Sequence, residues 1–185
     1  MDKHFYLVSQ LPTLFFDQKA TITIKDFLGE AKKWMLRRDF KLLCRVNIND
    51  ISIDKKGPKV WRQYRRFEYN LRDEVAKWRA STHGGDEYTP RSFPISILKE
   101  GTPLEIEKRL LRLRWNFIEE LEKDHHFDLG RLILYFLKLQ ILRRLFRFQK
   151  EKGMEIYKSI ISDTEIDISG REEIEDEIEN NSNSG

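Results

Sequence analysis

Residues 101–153 read GTPLEIEKRLLRLRWNFIEELEKDHHFDLGRLILYFLKLQILRRLFRFQKEKG, and this stretch decides the fold. It predicts an α-helical hairpin. Thr102 is suited to cap a helix, because a hydroxyl there accepts an otherwise orphaned backbone N–H. Pro103 fits the first turn, where no N–H is needed. Glu105 and Glu107 place negative charge at the positive end of the helix dipole. From Leu104 onward apolar residues recur at helical spacing, through Ile106, Leu110, Leu111, Leu113, Trp115, Phe117, Ile118 and Leu121. At about 100° per residue they cover roughly half the circumference. So wide a face fits a helix wedged between two neighbours. Glu107 and Arg114 fall inside the arc. The expectation is that their stems pack while their heads reach water. The alternative is a charged partner for each on another element, because a buried unpaired charge is costly.

Residues 123–127 read as the turn, and Asp128 as the cap of a second helix. From Leu129 to Leu142 that helix is apolar nearly all round, interrupted only by Lys138 and Gln140. It therefore reads as the central core helix. It is not a membrane span, which needs about 20 apolar residues. Its far end turns basic, with Arg143, Arg144, Arg147, Lys150 and Lys152 where the dipole favours cations. Gly153 is suited to follow the last turn.

The rest of the chain supports the same all-α class. Residues 5–11 (FYLVSQL) are compatible with a short helix or a strand by pattern alone. Leu14, Phe15 and Phe16 are expected to pack on the core from a loop. Thr23 or Asp26 caps a helical region over 26–45, with a break near Arg38–Asp39. Cys44 lies among Leu42, Leu43 and Val46 and is expected to be a buried, inert thiol. Residues 47–58 are rich in turn formers and read as a loop anchored by Ile48, Ile51 and Ile53. Residues 60–81 form a third helix, with a stripe of Trp61, Tyr64, Phe67, Glu68, Leu71, Val75 and Trp78. Gly84 and Gly85 end it, and 82–101 is a Pro-containing linker. Residues 70–85 can be laid on 138–153, with Trp78 on Phe146 and Gly85 on Gly153. This faint repeat divides the helical domain, 1–162, into two similar helical units, 1–85 and 100–162.

Charge is unevenly spread. Residues 163–185 carry nine acids and one base, so the overall +3 less this segment's −8 leaves +11 on residues 1–162. The acidic segment is expected to be a disordered tail. A body so basic calls for an acidic partner, anionic lipid, nucleic acid or the chain's own tail. One cysteine excludes an internal disulfide and fits a reducing cytosol. No phosphate-binding glycine loop of either common type is present. His125, His126 and Asp128 could in principle bind a metal, but adjacent histidines in a turn read as surface residues. No catalytic constellation stands out, so the reading is a non-enzyme with no cofactor and no metal. The remaining signal is basic. Arg62, Arg65 and Arg66 interleave with Tyr64 and Phe67, and Arg143, Arg144 and Arg147 with Phe146 and Phe148. Helical spacing turns the aromatics inward, which leaves these six arginines as candidates for binding carboxylates of a protein partner. Nucleic acid is the weaker alternative.

Several stretches resemble a known family. PLEIEKRLLRLRWNFIEEL at 103–121 and FDLGRLILYFLKLQILRRL at 127–145 look like an uncharacterised bacterial family encoded beside V-type ATP synthase subunits. YLVSQLP at 6–12 is similar to that family's opening, and FEYNLRDEVAKWRA at 67–80 to its middle. More distantly the pattern is similar to the C/d subunit of archaeal and vacuolar-type rotary ATPases. Pro103, Glu105, Glu107, Arg114 and Trp115 carry the motif, which is structural and specifies no chemistry. The resemblance favours a helix over 5–11. It implies a non-catalytic, all-helical subunit that links the membrane rotor ring to the central stalk. Its partners would be the central stalk and the proteolipid ring, and its place the inner face of the cell membrane, peripheral and cytoplasmic. The C/d protein proper is longer, with three helical units where this chain has room for two. A role in assembling the ATPase, or nucleic-acid binding, are the alternative readings.

Overall fold

Seven helices and no strand make up the described residues, which in the computed structural model are 3–53, 56–84 and 88–147. The helices are α1 (Lys3–Gln10), α2 (Ile24–Trp34), α3 (Arg37–Leu43), α4 (Lys59–Gly84), α5 (Ser96–Lys99), α6 (Pro103–Glu122) and α7 (Leu129–Arg147). The protein is thus all-α. The chain divides into two units, residues 1–146 and 147–185. Apart from Arg147, every described residue belongs to the first. Lys150, Lys152, Gly153, the acidic segment 163–185 and Gly85 lie outside the described residues.

The hairpin forms as its sequence dictates. The Thr102 hydroxyl accepts the Glu105 N–H at 3.3 Å, and the Glu105 carboxylate accepts the Thr102 N–H at 2.7 Å. This reciprocal capping box satisfies two orphan donors at once. The backbone hydrogen bond from Thr102, followed by its hydroxyl, holds the Glu105 carboxyl below its ordinary range. Gly101 enters the cap at φ 89°, a backbone region that a side chain would strain. On α6, Leu110, Leu111, Trp115 and Ile118 are buried. On α7, 13 of 19 residues are buried, so no face of this helix is left to amphipathic patterning. Each fully buried Leu or Ile there contributes about 1.5–3 kcal/mol of hydrophobic stabilisation. At the turn, the Asp128 carboxylate accepts the Arg131 N–H at 2.8 Å and caps α7.

The two polar interruptions of α7 are buried with it, and one of them ties a loop to the core. Gln140 donates to the Val46 carbonyl at 3.0 Å and accepts the Ile48 N–H at 3.1 Å. The Tyr64 hydroxyl donates to the Ile48 carbonyl at 3.1 Å. Burial is the main reason the Tyr64 phenol is pushed well above its ordinary range. The N-terminal segment is held in a similar way. Tyr135 donates its hydroxyl to the Pro12 carbonyl at 3.0 Å, and Phe16 packs edge-on against Trp115 with ring centres 5.6 Å apart.

Several details depart from the sequence expectation. The helical break falls at Met35–Leu36, both extended, rather than at Arg38–Asp39. Met35 is buried and Leu36 exposed. Cys44 is exposed, not buried. It follows the fully buried Leu43, and successive helical side chains point about 100° apart, so apolar sequence neighbours do not share a face. Phe15, Ile51 and Ile53 are exposed as well, whereas Leu14, Phe16 and Ile48 are in the core. Within 82–101, α4 continues to Gly84 and α5 begins at Ser96. Phe93 and Leu98 from this stretch pack with Leu71, Val75 and Leu110 as a second hydrophobic cluster.

Candidate functional site

α6 lies between α4 and α7, and charged pairs join it to both. Glu68 of α4 is fully buried, an acid in the middle of an apolar stripe. Its carboxylate accepts two hydrogen bonds from Arg114 of α6, at 2.8 and 3.0 Å, and one from Arg72 at 2.6 Å. Burial by itself would lower the Arg114 pKa, but the hydrogen bond and the charge of Glu68 outweigh it and hold the guanidinium above its ordinary value. Beside this fork Phe67 and Phe117 stack with ring centres 4.1 Å apart. Seven residues before Arg114, and so on the same face of α6, Glu107 meets Arg144 of α7 at 2.8 Å. Further along, Lys138 of α7 meets Glu122 at 2.5 Å and lies over the Trp115 ring. The expectation that Glu107 and Arg114 send their heads to water is therefore corrected: each meets a charged partner on another helix. The reason is geometric. A half-circumference apolar face is covered on both flanks, so a charge inside it must be neutralised where it sits.

The six arginines singled out by sequence separate into two groups. Arg62, Arg66, Arg143 and Arg147 are exposed. Arg144 is half-exposed and engaged with Glu107. Arg65 is buried at 2% exposure, which corrects its reading as a surface contact. It donates to the Ser52 hydroxyl at 2.7 Å and to the Lys56 carbonyl at 2.6 Å, and its guanidinium covers the Trp61 ring at 4.6 Å. Arg65 thus fastens the 47–58 loop onto α4. Pro103 and Glu105 start α6, and Trp115 is a core residue that donates to Glu119 at 2.7 Å.

A cleft of about 1,030 Å³ opens beside this loop. α3 lines it with Arg37, Arg38 and Lys41, and Arg45 follows directly. The loop contributes Asp50, Ser52, Lys56 and Gly57, and α4 contributes Trp61 and Arg65. Gly57 has φ 92°, and a Cβ there would come within 2.7 Å of the Trp61 ring, so only glycine lets the loop lie against the indole. The sequence reading passed over this concentration of cations. A signal was present: Arg37, Lys41 and Arg45 recur every four residues, the spacing that aligns side chains along one helix face.

His125 contacts Asp128 at 2.5 Å within the turn, while His126 is exposed. Among the described residues no three His, Cys, Asp or Glu side chains stand together as a metal-binding group. No described helix is long and apolar enough to cross a membrane. The site and fold define a helical body whose inner charges are interlocked and four of whose outer cations, Arg37, Arg38, Lys41 and Arg45, line one cleft. Residues 94–168 match the model of a family described as a protein of unknown function (DUF2764), a match covering less than half of the chain. No curated protein and no solved structure matches.

Proposed function

We propose that this chain is a non-catalytic, C/d-like structural subunit of a V-type ATP synthase or ATPase, linking the membrane rotor ring to the central stalk. The observation that carries the reading is the sequence resemblance, whose motif residues sit in the mechanically coupled part of the fold. Arg114 and Glu107 join α6 to α4 and α7, so the three helices would transmit a lateral force as one piece. Such coupling suits a subunit that passes torque between partners. Arg66, Arg143 and Arg147 are exposed and supply guanidinium groups for acidic partner surfaces. On this reading the protein is peripheral, on the cytoplasmic face of the membrane.

The test is affinity purification of the tagged full-length chain from gently solubilised native membranes. Recovery of catalytic and stalk subunits in constant ratio supports the proposal. Substoichiometric, transient recovery points to an assembly factor instead, and recovery of RNA without ATPase subunits overturns it. Charge reversal of Arg66, Arg143 and Arg147 together is expected to abolish recovery while leaving the helical circular dichroism unchanged.

A further inference from the structure

We infer that the cleft between α3 and α4 binds a compact polyanion bearing at least two phosphate groups. The inference stands apart from the ATPase reading and rests on charge, geometry and an unused donor. Arg37, Arg38, Lys41 and Arg45 are all exposed to the cleft, and among the described residues none finds a side-chain hydrogen bond or ion pair. Some exposed cations elsewhere on the body find carboxylates: Arg112 takes Asp17, Lys77 takes Asp73, Lys33 takes Glu30 and Lys123 takes Glu120. Gathering like charges without counter-charges costs free energy, and a bound anion relieves that cost.

The number of charges selects the ligand. Among the described residues the lining holds six cations and one carboxylate, Asp50, which faces Arg65 at 3.9 Å. With that pair set aside, the described lining keeps a formal excess of five, from Arg37, Arg38, Lys41, Arg45 and Lys56. A single phosphate, at about −1.5 to −2 near neutral pH, leaves most of that excess unmatched. Two linked phosphates come much closer. Three of the four cations on the α3 side are arginines, whose planar forks hold phosphate oxygens in pairs.

The cleft is also built to hold such a group in place. Arg65 is pinned by Ser52 and by the Lys56 carbonyl, which fixes the floor. Gly57 and the Arg65 guanidinium lie against the Trp61 ring, so the indole is covered and is no platform for stacking a planar base. Its Nε1–H, however, is buried and has no hydrogen-bond acceptor among the described residues. A buried donor without a partner is uncommon, and Trp61, which carries this one, lines the cleft. The recognised chemistry is therefore the phosphates themselves. They could be carried by a soluble polyphosphate or by a diphosphorylated lipid headgroup.

The test uses the full-length protein at physiological ionic strength, where surface attraction is screened beyond about 8 Å. Pyrophosphate and tripolyphosphate are titrated by calorimetry, with sulfate and a glutamate-rich peptide as competitors. In parallel the protein is floated with phosphatidylcholine vesicles with and without cardiolipin. The cleft variant is Arg37→Ser/Lys41→Ser/Arg45→Ser, and the control, which removes equal charge elsewhere, is Arg66→Ser/Arg143→Ser/Arg147→Ser. The expected result is binding that the cleft variant weakens by about tenfold or more and the control changes little, since a lost charged hydrogen bond is worth at least one decade. Binding to pyrophosphate alone assigns a soluble ligand. Cardiolipin-dependent flotation, lost in the cleft variant, assigns a lipid headgroup. Equal weakening in both variants, tighter binding of the glutamate peptide, or absence of both phosphate-dependent signals overturns the inference. A Trp61→Phe variant, which keeps the ring and removes the N–H, is expected to weaken binding several-fold without changing secondary structure.

Discussion

Arginine serves opposite ends in two parts of this molecule. Between α4, α6 and α7 the charges are matched, with Arg114 on Glu68 and Lys138 on Glu122 largely buried and Arg144 on Glu107 partly so. In the cleft beside α3, Arg37, Arg38, Lys41 and Arg45 are exposed, and none of them is paired with a carboxylate among the described residues. Water explains the difference. A charge removed from solvent must find its partner within the fold, because the desolvation cost is several kcal/mol per ion. A charge that keeps its hydration needs no partner and stays available to a ligand. The comparison teaches that the number of arginines on a surface says little until each is assigned to one of these environments.

The largest effect is expected at the buried end of the comparison. Glu68→Gln leaves Arg114 buried without its counter-charge and is expected to lower stability by about 3–5 kcal/mol. Urea denaturation monitored by circular dichroism measures it. The double variant Glu68→Met/Arg114→Met should lose clearly less than the sum of the two single changes, because neither charge is then stranded. Additive losses would show that the pair is not a coupled unit and would break the contrast.

Next in size is Gln140→Leu. It strands the Val46 carbonyl and the Ile48 N–H, both of buried residues, at an expected cost of about 1–3 kcal/mol. Hydrogen exchange should quicken first in the 46–48 segment. Slower or unchanged exchange there would mean that the loop is held by Tyr64 and Arg65 alone.

A smaller effect, of about 1 kcal/mol, is expected for Asp128→Ala, which removes the cap of α7. This one carries a pH signature. Burial alone would raise the Asp128 pKa, but hydrogen bonds from His125 and from the Arg131 N–H more than offset it and hold the carboxyl below its ordinary value. The stability it contributes is therefore fully present above the ordinary value of about 4 and is lost as the pH falls through the lowered one. Urea midpoints of the native protein and the variant should differ at neutral pH and converge in acid. A gap that persists below the ordinary carboxylate range would show that the charge is not what caps the helix.

The smallest effect belongs to the open end. Arg37→Ser/Lys41→Ser/Arg45→Ser removes three charges and is expected to shift stability by no more than about 0.5 kcal/mol per site, with a gain as plausible as a loss. A thermal melt at low salt checks this. A large loss would mean that the cleft cations hold the fold together, and would erase the distinction between the two regions.

Much of the architecture was legible in the sequence. Thr102, Pro103 and Glu105 announced the start of α6, because a capping box is a local device that needs only its own turn. The unbroken apolar run from Leu129 announced a core helix for the same kind of reason. Cys44 and Arg65 were misread, one as buried and the other as exposed. In both cases the nearest residues in sequence pointed one way, and the helix and the 47–58 loop set the side chain another way. The candidate site was less legible than the fold. Its cations lie on α3, the following residues, the loop and α4, and only the Arg37–Lys41–Arg45 spacing hinted that some of them share a face.

The sequence by itself determined what is local: the helical class, the caps, the turn at 123–127 and the apolar faces that had to be covered. Those follow from backbone hydrogen bonding and from a period of 3.6 residues, both settled within a turn or two of the chain. Only the tertiary structure decided that Glu68 receives Arg114 from 46 positions away, that Gln140 holds the 46–48 segment and that Arg37, Arg38, Lys41 and Arg45 face one cleft. Those outcomes depend on which faces meet. Side-chain charge acts through space, and the distances it acts over are set by packing rather than by position along the chain.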